Sequence, residues 1–357
     1  MLLENFVEYL GESYSLALAG LVAGAAFGFL AQRSKFCLRS AVIEFARNFT
    51  GGKLTVWLFA FSTAILATQA LAQLGLFDAS ESRQISVRGS ISGAAIGGAL
   101  FGIGMILARG CSSRLLILAA QGNLRALISG LIFAVAAQAA LTGMLAPLRE
   151  LISSWWTVEG GTSRDLLVLT GIGHSGALFF GLVWLGAAML WARHQRVTTW
   201  SWAGAMGVGL TIAGAWWVTF AIAHVSFDPH PVQALSFTGP SAEVLSRVLF
   251  ITDKPLTFDL GLVPGVFLGA FGASALYGEL KLEGFQGGAG MRRYLVGATL
   301  MGFGGMLAGG CAVGSGLSGT AVFTITAFVT LTAMWVSAAL TDRLLDQHPS
   351  SEILVGI

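Results

Sequence analysis

The 357-residue chain is 55% hydrophobic and only 11% charged, with a mean hydropathy of +0.76, which is more apolar surface than one soluble core can hide. A net charge of +2, with basic residues scattered among apolar runs, gives no basis for nucleic acid as the partner. The chain belongs in a bilayer, where charge reports orientation.

The opening MLLENFVEYLGESYS carries Glu4, Glu8 and Glu12 and no basic residue. It lacks the positive n-region of a cleavable signal peptide, so the first apolar segment is expected to stay as a permanent span. Crossing ~30 Å of hydrocarbon takes ~20 apolar residues. Nine such stretches follow, at 13–31, 54–75, 89–108, 124–145, 174–192, 201–222, 258–277, 292–308 and 320–341.

Four shorter segments interrupt them. CLRSAVIEFARNF, with Cys37, Arg39 and Glu44, follows the first span. After Cys111, SSRLLILAAQGN is too short to cross; it reads as a half-helix with Ser112 or Ser113 as N-cap and Gly122 near its C-cap. TGPSAEVLSRVLF opens at Thr238 with Pro240 in its first turn. AVGSGLSGTAV, after Cys311, is glycine-rich and uncharged, with Ser315 and Ser318 able to cap. Irregular backbone at membrane depth survives only where it is buried in protein or lines a cavity.

Other features have plainer readings. Gly20, Gly24, Gly28 and Gly261, Gly265, Gly269 have the GxxxG spacing of close helix packing. Trp155, Trp156, Trp200 and Trp202 read as interfacial aromatics. Glu44 and Glu243 read as interfacial carboxylates, with proton carriage as the alternative, and His224 and His230 as surface groups of an outer loop. GIGMILARG is no dinucleotide fingerprint, because no strand precedes it and the spacing is wrong. Three cysteines without a CxxC pair or a neighbouring histidine fit neither a disulfide framework nor a zinc site, and no cofactor is implied.

Internal repetition reorganises this list. Residues 97–111 laid over 297–311 match at eight of fifteen positions without a gap: Gly97/Gly297, Leu100/Leu300, Gly102/Gly302, Gly104/Gly304, Leu107/Leu307, Ala108/Ala308, Gly110/Gly310 and Cys111/Cys311. A weaker echo sets FCLRSAV against FTGPSAE, where Cys37 becomes Thr238. The expected fold class is an all-α integral membrane protein of about nine transmembrane helices plus four short re-entrant or broken helices, in two inverted pseudo-symmetric repeats. Its divisions are a first repeat (1–145, with the Cys37 and Cys111 loops), an external loop and linking span (146–200), a second repeat (201–342, with the Thr238 and Cys311 loops) and a cytoplasmic tail (343–357). Only Arg83, Arg88, Arg149, Arg164, Arg247 and Lys254, of 20 basic residues, fall on the N-terminal side, which puts the N-terminus outside and the C-terminus in the cytoplasm.

Inverted repeats commonly hold a substrate at their interface, between broken helices whose N-termini offer unpaired N–H groups and partial positive charge. An anion is the favoured occupant, with Arg39, Arg109 and Arg114 drawing it to the cytoplasmic mouth. Gly110, Ser112, Ser113, Gly310, Ser315 and Thr238 are the supporting contacts. Cys37, Cys111 and Cys311 present soft, weakly hydrogen-bonding thiols able to pass a sulfur-bearing anion along; lone cysteines also serve as small core fillers.

QRSKFCLRSAV, GIGMILARGCSSRLL and LAGGCAVGSGL resemble the YeeE/YedE family of sulfur-compound transporters, over about Leu16 to Asp342. The resemblance implies uptake of thiosulfate across the bacterial inner membrane through an hourglass-shaped protein of nine spans and re-entrant helices. It implies that Cys37, Cys111 and Cys311 line the path and relay the anion by S–H hydrogen bonds. A cytoplasmic sulfur-carrier protein of the TusA type is the implied partner. Members differ in substrate, some being tied to selenium or other sulfur compounds. The expected route runs from outside past Cys311, then Cys111, then Cys37. The rivals are a membrane thiol oxidoreductase, which needs a close cysteine pair, and a non-transporting scaffold.

Overall fold

The computed structural model describes residues 7–47, 51–195, 197–250, 255–284 and 288–345, so Arg196, Lys254 and the tail beyond Leu345 lie outside the described residues. All nine apolar stretches are helices: α1 (Glu12–Ser34), α3 (Lys53–Gln73), α4 (Ile91–Leu107), α6 (Leu124–Leu141), α7 (Gly173–Gln195), α8 (Thr199–Val225), α10 (Phe258–Leu276), α11 (Gly288–Leu307) and α12 (Ile325–Leu345). The shorter segments form α2 (Leu38–Arg47), α5 (Ser112–Ala120), α9 (Thr238–Leu249) and a π-helix over Gly314–Gly319. Eight of the described helical stretches are long and apolar enough to cross a membrane. Helix α11 is not among them, because Arg292 and Arg293 in its opening turns lower its hydropathy.

Local chemistry sets the ends. Ser90, Asn123 and Thr257 accept N-cap hydrogen bonds from Gly93, Ala126 and Leu260, starting α4, α6 and α10. Helix α1 stops at Lys35, which sits in the left-handed region at φ 55. Two expectations change here. The last span begins at Ile325 rather than 320, because the preceding residues are taken up by the π-helix and the turn after it. It also runs to Leu345, a few residues past the expected 341. Two-residue strands, Gly89–Ser90 just before α4 and Thr157–Val158 between α6 and α7, pair antiparallel.

Small residues govern the packing, as the GxxxG spacing indicates. An added Cβ on Gly20, Gly24 or Gly28 would run into the backbone of Phe258, Leu262 or Val266, and one on Gly261, Gly265 or Gly269 into that of Ala17, Leu21 or Ala25. Helices α1 and α10 thus run parallel in near backbone contact. The two copies of the repeated phrase pack against each other: a Cβ on Gly97 would lie 2.5 Å from Ala308 N and Gly304 O, and one on Gly297 2.5 Å from Ala108 N. Helices α4 and α11 are therefore antiparallel across this seam.

Contacts between helices come in matched pairs. Helix α1 packs on α10 as α8 packs on α3; α4 on α12 as α11 on α6; α6 on α9 as α12 on α2; and α5 on α10 as the π-helix on α3. Helix α7 packs mainly on α3 and has no such counterpart.

Two ends of the bundle are distinguishable by their polar contacts. At one end Lys35 pairs with Glu279 at 2.5 Å, Arg47 grips the buried Asp342 with Nε and Nη2 at 2.7 and 2.8 Å, and Lys281 N donates to Gln121 O. At the other, Glu12 accepts from Phe227 N at 2.8 Å and pairs with His230 at 3.1 Å, and Asp165 bridges to Thr324.

Candidate functional site

The four short helices share one orientation relative to the core. Cys37, Cys111, Phe237 and Cys311, at or just before their N-terminal ends, are 6, 0, 1 and 0% exposed. Three of the far ends reach the rims, where Arg47 ends α2 at Asp342, Gln121 follows α5 at Lys281 and Thr324 follows the π-helix at Asp165; α9 is tied midway, where Glu243 accepts from Thr257 at the start of α10. Four helix N-termini are thereby aimed inward, the arrangement that favours negative charge.

The turn before each central cysteine is built the same way. Arg109 and Gly309 both take left-handed φ, 56 and 77, and the residues closing the following short helices, Gly122 and Phe323, repeat this at 101 and 55. A non-glycine residue there carries a cost of roughly 1–2 kcal/mol, so both turns are held by their surroundings. Cys111 itself is the N-cap of α5, with no side-chain cap. This corrects the expectation of a serine cap: Ser112 lies in the first turn with its hydroxyl unpartnered, and the Ser113 hydroxyl turns to the Cys111 thiol at 3.5 Å. Ser315 and Ser318 are likewise inside the π-helix rather than caps, with Ser318 donating to Leu235 O at 2.7 Å.

The thiols form two groups. Cys37 and Cys111 interact directly, and Ser40, Ser113 and Arg114 belong to the same cluster. Cys311 stands with the second half, where its sulfur accepts from Phe237 N at 3.3 Å and Gly314 N at 3.4 Å. Phe237 precedes Thr238, the position that corresponds to Cys37, so each central cysteine meets the start of its own half's first short helix. The Thr238 hydroxyl is buried without a hydrogen-bond partner and lies against Gly305. Gly310 is buried beside Ser315, and Gly110 beside Leu115.

The arginines divide. Arg114 donates from Nη1 to Gln32 at 3.2 Å, close to the Cys37 thiol. Arg109 faces the Tyr294 ring, 6.0 Å from its centre, away from the thiols, and Arg39 is half-buried at the start of α2. Glu44 caps α3 by accepting from Lys53 and Leu54 N–H groups, and Glu243 takes the Thr257 hydroxyl at the start of α10. These carboxylates are helix-end fixtures. Sequence reasoning missed Gln32, fully buried in α1, which donates to Glu279 at 2.6 Å, and Gln69 in α3, which holds Ala321 O at 2.7 Å. A glutamine inside an apolar span was the available signal, since such a side chain needs a partner there.

A family model described as sulphur transport matches residues 33–340, which include all three cysteines. The chain belongs to that family. It is similar to the thiosulfate transporter TsuA of Spirochaeta thermophila, 28% identical over 321 residues, covering 84% of this chain and 90% of the relative. It is also similar to the thiosulfate transporter TsuA of Escherichia coli, 26% identical over 355 residues, covering 90% and 92%. This sulphur transport protein is thus a multi-pass membrane transporter of sulfur compounds rather than an enzyme.

Proposed function

We propose that this transporter imports thiosulfate, or a closely related sulfur oxyanion, across the bacterial inner membrane along Cys311, Cys111 and Cys37. The observation that carries the reading is the set of four inward-aimed helix N-termini, three of them with a thiol at the turn and the fourth with Thr238. An ionised group at the bilayer centre costs ~2.5–3.5 kcal/mol or more, and one helix terminus returns on the order of 1 kcal/mol, so several are needed together. Weak S–H contacts then let the anion move on without a deep well.

The matched helix contacts support two repeats related by a two-fold axis, and an unmatched α7 between them supports their inversion. In this reading the first repeat is 1–145, the link 146–200 and the second repeat 201–342. The face bearing Lys35, Glu279 and Asp342 is cytoplasmic and the N-terminus is outside. A cytoplasmic sulfur carrier of the TusA type takes the product onward. The direct assay is growth and labelled thiosulfate uptake in cells that depend on it as sulfur source. Cys111→Ala is expected to abolish uptake at equal expression; uptake equal to the parent overturns the thiol path.

A further inference from the structure

A line of polar side chains runs from Arg114, whose charge acts on the buried Cys37 thiol, to one face of the bundle. Arg114 lies near Cys37 and donates to Gln32 Oε1 at 3.2 Å; the other end of the Gln32 amide donates to Glu279 Oε2 at 2.6 Å. The same carboxylate oxygen takes Lys35 Nζ at 2.5 Å, and Arg33 Nη1 stands 3.8 Å from Oε1. Arg33 lies over the Tyr277 ring at 3.5 Å, and its shielded Nε has no acceptor. Beyond Lys35 and Glu279 opens a cavity of about 300 Å³, also lined by Gln121, Asn123, Lys281 and Glu283. At ~30 Å³ per water it has room for a small hydrated anion.

The charges in this line are unequal. Arg33 and Lys35, with the Gln32 amide as a third donor, hold the Glu279 carboxylate, while Lys281 and Glu283 on the cavity wall offset each other, so two cations meet one carboxylate at this point. Lys35 is also the left-handed residue that ends α1, two positions before Cys37, so its ammonium is fixed by the same turn that places the thiol. A carboxylate from the loop after α10 is thus held by the residue two positions from Cys37.

We propose that Glu279 is a tethered counter-anion that closes this end of the path: it fills a cationic site formed by Arg33, Lys35 and Gln32, and a small oxyanion passes between Cys37 and the cavity only by displacing it. The inference rests on the anion-transport reading for its purpose, but its test requires no transport. The protein is held in membrane vesicles with the Glu279 face outward. Anionic and cationic methanethiosulfonate reagents are added, and labelling of Cys37 is timed by peptide mass spectrometry.

In the parent, Glu279 slows labelling by both reagents. Glu279→Gln keeps an acceptor for Gln32 but loses the charge; it is expected to raise the labelling rate about tenfold, equivalent to ~1.4 kcal/mol of gate opening. Lys35→Gln is expected to open the gate as well and to lower the preference for the anionic reagent. Glu279→Asp, shorter by one methylene, is expected to fall between parent and Glu279→Gln, and covers the case in which the glutamine variant folds poorly. Unchanged Cys37 labelling in Glu279→Gln and Glu279→Asp, or an anionic preference untouched by Lys35→Gln, overturns the proposal. Because no thiosulfate is present, failure of thiosulfate uptake and failure of this gate are read separately.

Discussion

Cys311 is the thiol whose structural and transport roles can be pulled apart. Its sulfur accepts from two buried backbone N–H groups, Phe237 at 3.3 Å and Gly314 at 3.4 Å, and so ties the start of α9 to the start of the π-helix. Cys311→Ala leaves both donors without an acceptor. An orphaned buried donor costs ~1–3 kcal/mol, and sulfur is a weak acceptor, so the low end applies to each and the sum is about 2–3 kcal/mol. Cys311→Ser restores an acceptor on a shorter bond and is expected to recover about half of that loss. Cys111 meets the Cys37 thiol, the Ser113 hydroxyl at 3.5 Å and one backbone N–H, that of Arg114, so Cys111→Ala orphans one backbone donor rather than two and is expected to cost about 1 kcal/mol. The assay is the unfolding midpoint of the purified variants in detergent, beside their uptake rates. The expected order of stability is parent, then Cys111→Ala and Cys311→Ser, then Cys311→Ala, with uptake lost in all three. A Cys311→Ala midpoint equal to the parent's would refute the assignment of the sulfur as a structural acceptor.

A glycine on the α4–α11 seam and an unpacked glycine of α10 are expected to respond to alanine with opposite signs. Gly97→Ala, whose Cβ would lie 2.5 Å from two backbone atoms, must spread the helices and is expected to cost about 1–3 kcal/mol, whereas Gly272→Ala meets nothing within 4 Å and is expected to gain helix propensity of up to ~1 kcal/mol. Unfolding midpoints of the two variants check this. Arg109→Gly relieves a left-handed φ of 56 that Gly309 already meets without a side chain, and is expected to raise the midpoint by an amount equivalent to roughly 0.5–1 kcal/mol. Lys35, whose hydrogen bond is the main cause, together with Gln32 and Arg33, holds the Glu279 carboxyl below its ordinary 4.5. A depressed carboxylate contributes stability above its unfolded value and loses it as pH falls through the folded one. The stability difference between parent and Glu279→Gln is therefore expected to stay level from about pH 7 to about pH 5 and to shrink only below 4.5. A difference that already vanishes by about pH 5 would contradict the ion pair.

Segment identity was readable because length and apolarity alone decide what forms a membrane helix; the start of α12 differs most because glycines extend the π-helix into it. The GxxxG stripes were readable for the same kind of reason, since a missing side chain is visible in one dimension. The repeated phrase was only partly readable. Its Gly97, Gly104, Gly297 and Gly304 turn out to be the contact surface of α4 on α11, and only its last residues, from Arg109 and Gly309 to the cysteines, build the turns of the site. A local sequence pattern does not separate a glycine that admits a neighbouring helix from one that admits a ligand. Long-range partners were invisible. Nothing near Gln32 points to Glu279, 247 positions away, and nothing near Cys311 points to the N–H of Phe237.

The thiol grouping also bears on the oxidoreductase alternative. That reading requires two cysteines able to bridge, and the pair brought together is Cys37 with Cys111, whereas Cys311 is occupied by backbone donors. A relay needs both thiols free: once two electrons and two protons pass to an added oxidant such as diamide, the resulting bridge removes both S–H donors and ties α2 to α5. Oxidation is therefore expected to link Cys37 to Cys111, to block uptake, and to be reversed by dithiothreitol, with linkage read by mass spectrometry of the unreduced peptides. A carrier of electrons behaves in the opposite sense, because excess dithiothreitol holds its pair reduced and breaks the cycle. Uptake that continues undiminished in reductant, with no bridge accumulating during turnover, leaves the pair to act through its two S–H groups; uptake that stops in reductant refutes the relay.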